Sequence, residues 1–164
     1  MLTPSVSDVV RYAGGWLFDQ VLGGWDATVF AAERDDSRPL RILGADRGDL
    51  ESVLTAPVRA PGRLAIAVDI GLYERDERVR RMVIDARECA LADVRFWGEA
   101  WPAGLGDGAG EAPHRLSVAA RAFKHRALVA TGGTAQTIDA TEVFRRGGTL
   151  HRPGTSARTE SLTA

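Results

Sequence analysis

Four acidic side chains stand where apolar stretches give out: Glu33, Asp46, Asp69 and Glu99. If those stretches are parallel strands of one sheet, the carboxylates gather at its carboxyl edge, where open α/β sheets form their sites. Asp69 and Glu99 are then the catalytic candidates, since a carboxylate at that place can take a proton from a nucleophile or help to hold Mg²⁺. The plainer alternative is that aspartate ends a buried strand and caps the next helix, a common use of that residue.

A second set reads as binding chemistry. Trp97 and Trp101 bracket Gly98-Glu99-Ala100 at the mouth of a glycine-rich stretch, and aromatic residues there can line a pocket or anchor a partner. His114 and Arg115 follow that stretch and can meet an anion at the start of a helix. The three histidines do not cluster at metal-ligand spacing, and Cys89 is the single cysteine. No metal site follows from these residues, and no motif identifies a cofactor. Residues 104–109 fit the relaxed dinucleotide pattern GxGxxA, but residues 99–103 intervene after the strand and no acidic residue ends a strand about 20 positions on. Neither GxxxxGK[ST] nor GxSxG occurs, which removes the usual P-loop and α/β-hydrolase readings.

The element that must position these groups is residues 63–71, Arg-Leu-Ala-Ile-Ala-Val-Asp-Ile-Gly. It is apolar on both faces, as in a strand covered on two sides. Residues 5–22 predict a helix capped by Ser7, with Val6, Val9, Val10, Ala13, Trp16, Leu17 and Val21 on one face. Gly14-Gly15 inside it marks a break or a close contact. Residues 25–32 are β-like, and 39–43 read as a short strand opened by Pro39 and antiparallel to its neighbour. Asp49 can cap a short helix to Leu54. Residues 76–90 form a second amphipathic helix, 93–97 a strand, 98–113 a loop and 114–130 a helix with Leu116, Ala119, Ala120, Phe123, Ala127 and Ala130 inward. Residues 139–146 suit a short helix. The expected fold is a small three-layer α/β sandwich with a mostly parallel sheet of about four strands. Residues 1–130 would be its single domain and 131–164 an extension, flexible from about 147.

Composition narrows the function classes. The 164 residues carry a net charge of −1, so no global field draws the chain to nucleic acid or an anionic surface. Residues 1–113 hold 13 Arg against 19 acidic groups, whereas residues 114–164 hold seven Arg and Lys124 against three. That asymmetry favours a protein partner or self-association over nucleic acid. No apolar run approaches the roughly 20 residues that span a bilayer, and residues 1–5 lack signal-peptide features, so the expected compartment is the cytoplasm. With the common catalytic motifs missing, the first expectation is a non-catalytic, regulatory α/β module that binds a partner protein or a small ligand. The alternative is a small enzyme acting on a nucleotide or other phosphorylated substrate through its strand-end carboxylates.

Overall fold

A computed structural model describes residues 1–55, 64–88, 92–99, 110–133 and 137–146. Helix α1 (Val6–Leu22) starts at Ser5, not Ser7: the Ser5 hydroxyl oxygen accepts from Asp8 N at 3.1 Å, and its hydroxyl donates to Asp8 Oδ2 at 2.7 Å. Strand β4 (Leu64–Asp69) is the doubly apolar stretch, and its Asp69 caps α4 (Ile70–Arg75) by accepting from Leu72 N at 2.7 Å. Helix α5 (Glu77–Glu88) follows as a separate element after Asp76 and buries Val79, Val83, Ile84 and Ala86.

The sheet has seven strands in the order β3-β2-β1-β4-β5-β7-β6. Strands β1 (Leu2–Thr3), β2 (Thr28–Ala31), β3 (Asp46–Asp49), β4 and β5 (Ala92–Trp97) are parallel. Strands β7 (Thr141–Arg146) and β6 (Glu111–Arg115) extend the sheet antiparallel beyond β5. Helices α1, α2 (Arg38–Ile42) and α6 (Val118–Ala130) pack together on one face. Helix α3 (Leu50–Thr55), α4 and α5 pack on the other. Each face has its own apolar cluster, one around Val9, Leu17, Leu43 and Phe144, the other around Val68, Val83 and Phe96. The three-layer, mostly parallel architecture is the expected one, with more strands than four.

Three segments differ from expectation. Residues 39–42 lie in helix α2 and Leu43 caps it; Pro39 sits in the first turn, a place that needs no N–H donor. The strand beside β2 is instead β3, and it is parallel. Residues 111–115 form edge strand β6, where Pro113 is tolerated, so His114 opens no helix; Ser117 caps α6 instead. Residues 141–146 form a strand and not a helix: Glu142 and Phe144 face the core, while Val143 is 47% exposed. Cys89, the glycine-rich residues 100–109 and the region from 147 onward lie outside the described residues.

Candidate active site

The order of the sheet reverses at β1: the chain winds outward through β2 and β3, then returns to place β4 on the other flank of β1. The crevice beyond the carboxyl ends of β1 and β4 is therefore the topological switch point, where ligands bind in open α/β sheets. Three segments converge there. Strand β1 leads through Thr3 and Pro4 into the first turns of α1, which carry Asp8, Arg11 and Tyr12. Strand β4 ends on Asp69, and β5 ends on Trp97, with Gly98 and Glu99 following it.

Asp69 is half-buried. Desolvation raises its pKa above the usual aspartate value; the N–H of Leu72 opposes this, and the charge of Asp8 adds to it. One oxygen, Oδ1, is occupied by the helix cap. The other, Oδ2, lies on the side of Gly98, 3.5 Å from where a Cβ on that residue would be. Gly98 has φ +139°, and a Cβ there would stand 2.7 Å from Ile70 Cγ2, so this turn needs glycine to pass so close to Asp69 and α4.

Just past the end of the neighbouring strand β5, the Tyr12 hydroxyl donates to Glu99, and Arg11 Nη2 is 3.7 Å from the same carboxylate. Burial, the hydrogen bond to Glu99 and the charges of Glu99 and Asp8 hold the Tyr12 phenol protonated, its pKa pushed up to about 12 despite Arg11. The Tyr12 ring stacks on Trp97, centroids 6.1 Å apart. Asp8 acts electrostatically on both Asp69 and Tyr12, so the three belong to one charged neighbourhood. Among the described residues no three His, Cys, Asp or Glu side chains group closely enough to hold a metal ion.

The structure thus brings Asp69 and Glu99 to the ends of adjacent paired strands. Trp97, the register partner of Asp69, is fully buried and serves as the floor under Tyr12. Trp101 lies outside the described residues. His114 and Arg115 are elsewhere, on the far edge strand β6, where His114 Nε2 is 2.8 Å from Asp19 Oδ2. Burial pushes Asp19 up, but the hydrogen bonds from Ser117 and His114 outweigh it and hold its carboxyl below the usual value. Glu33 follows β2, and Asp46 opens β3 at the opposite end of its strand. Sequence reading missed Asp8, Arg11 and Tyr12. They sit on a helix whose apolar stripe drew attention to its other face, and only the signature of a short strand running straight into that helix could have flagged them.

The class defined here is an open α/β protein with a carboxylate–tyrosine cluster at its switch point. No protein-family model and no curated protein matches the chain. Among solved structures it is similar to the crystal structure of the antimicrobial reagent A40926 pseudoaglycone deacetylase Dbv21, with TM-score 0.62 and 16% identity over 93% of this chain and 97% of that one. At that identity the likeness shows a shared fold. It overturns the expectation of a non-catalytic module: the architecture found here is one that an enzyme uses, and the missing sequence motifs do not argue against catalysis. Among the described residues no helix is long and apolar enough to cross a membrane.

Proposed function

We propose that this chain is a hydrolase that removes an acyl group from an amine, working at the switch-point crevice with Asp69 as its general base. The observation that carries this reading is the state of Asp69: half-buried at the carboxyl end of β4, raised in pKa and under the charge of Asp8, which also acts on Tyr12. A raised carboxylate is a better base near neutral pH than an ordinary one. In the proposed step Asp69 takes a proton from water while the resulting hydroxide adds to the acyl carbon. The carbon–nitrogen bond then breaks, and Asp69 returns the proton to the departing nitrogen. Amide and water become carboxylic acid and amine.

Charge selects the substrate class. Asp8, Asp69 and Glu99 stand against Arg11 and Arg75, so the crevice is negative on balance and opposes a phosphate. A neutral or cationic amide suits it, which is why deacylation is preferred to a phosphorylated substrate. The deacetylase named for the structural neighbour supports the same reaction class.

The test is amine release from a panel of N-acetylated amines, neutral, cationic and phosphorylated, by the full chain and by Asp69→Asn. Asparagine keeps the helix cap but cannot act as a base. Turnover of the neutral or cationic amides, lost ~10²–10⁴-fold in the variant, is the expected result. No turnover of any amide, or equal turnover by the variant, would overturn the reading.

A further inference from the structure

The antiparallel flank of the sheet sets two like charges against each other. Arg95 on β5 and Arg146 on β7 are register partners, and side chains directly opposite across an antiparallel pair share one face of the sheet. That face is the one covered by α1. Arg95 Cζ lies 5.6 Å from the centre of a Trp16 ring, and Phe144, two residues before Arg146, packs on Trp16 with centroids 5.1 Å apart. Both arginines line an open pocket of about 520 Å³, whose other wall is Gly110 and the first residues of β6, Glu111 to Pro113. Two carboxylates are near, and both are engaged. Asp93 Oδ2 is 3.3 Å from Arg95 Nε, and Glu111 Oε1 is 3.6 Å from Nη2 of Arg145, whose register partner Phe96 belongs to the other face. Arg146 has no ion pair among the described residues. Like charges directly opposite destabilise a sheet, so this pair has a use for an anion between its members.

We propose that this pocket binds a phosphoryl group, held between the guanidinium groups of Arg95 and Arg146. Arg95 is set for the task. Its side chain is only 22% exposed, the Trp16 ring supports the cation, and Asp93 takes Nε, so among the described residues Nη1 and Nη2 are the donors left over. Arg146, exposed at the end of β7, supplies the second fork. A guanidinium offers parallel N–H groups that match the oxygens of a phosphate or a carboxylate. Two of them facing each other across a strand pair suit a doubly charged phosphoryl group better than a carboxylate. Arg95, Arg145 and Arg146 against Asp93 and Glu111 leave one positive charge, so the pocket attracts an anion where the switch-point crevice opposes one. The site does not depend on the deacylation proposed for that crevice.

The experiment titrates inorganic phosphate into the full chain at constant ionic strength, with chloride making up the balance, and follows the thermal midpoint and the tryptophan emission. Saturating phosphate is expected to raise the midpoint by about 5 °C or more, and to change the emission through Trp16, on which Arg95 rests. Arg146→Gln removes both responses. In chloride alone the same variant melts no lower than the parent, because it relieves the repulsion, so the order of the two midpoints reverses when phosphate is added. No rise in the parent, or an equal rise in the variant, would overturn the site. So would a variant that melts well below the parent in chloride, since Arg146 would then already be paired. A rise with acetate as large as that with phosphate would overturn the choice of a phosphoryl group.

Discussion

Two carboxylates in this molecule sit under opposite regimes. Glu142, 5% exposed on β7, is met on every side: Lys124 Nζ lies 2.6 Å from Oε1, Gly15 N donates to Oε1 at 2.9 Å, and Trp16 N donates to Oε2 at 2.7 Å. That one side chain ties α1, α6 and β7 together. Asp69, on β4, is met only by main-chain N–H groups at the start of α4, those of Leu72 and Gly71, and has a neighbouring like charge and a raised pKa. A buried charge is tolerated when paired and hydrogen-bonded; a carboxylate left short of partners gives up stability and retains basicity. The antiparallel flank therefore uses its carboxylate to hold helices in place, and the parallel half leaves one half-buried and raised in pKa.

The largest expected effect breaks the saturated member. Lys124→Ala leaves Glu142 buried without its counter-charge and should cost about 3–5 kcal/mol in urea unfolding. Lys124→Met combined with Glu142→Gln removes both charges but keeps an acceptor for only one of the N–H groups of Gly15 and Trp16, and should recover part of that loss. A cost near zero for the single variant would mean that Glu142 is not held as described. Next comes Gly15→Ala. A Cβ there would stand 2.5 Å from the methyl groups of Leu116, a residue only 5% exposed, and would push α1 off its carboxylate anchor. Overpacking outweighs the gain in helix propensity, for a net loss of about 1–2 kcal/mol.

The smallest effect sharpens the other member. Because the folded pKa of Asp69 is raised, the native state holds that proton to higher pH than the unfolded chain does, and the contribution of Asp69 to stability falls as pH rises from 3.8 through the folded value. Asp69→Asn should therefore raise the melting midpoint slightly at pH 7, with the gain vanishing below pH 3.8. A destabilised variant at pH 7 would mean that the charge is compensated after all.

What could be read from the chain follows from where each signal is stored. The doubly apolar run of β4, the single stripe of α1 and the aspartate that ends β4 are local patterns, so the sequence by itself determined a covered parallel strand, its cap and the sandwich class. It could not show β7. There the inward positions are Glu142 and Phe144 and the outward one is Val143, an alternation that a reading of hydrophobicity inverts. Lys124 was hidden for the same reason, a charged residue on the buried side of α6. Only the tertiary structure brought Lys124, Glu142 and Gly15 together, since a charge becomes a core residue through partners that lie 18 and 127 positions apart in the chain. The same holds for Asp8, Tyr12, Asp69 and Glu99: four ordinary polar residues until the reversal of strand order at β1 sets α1 beside the ends of β4 and β5, where burial and like charge change what a carboxylate can do.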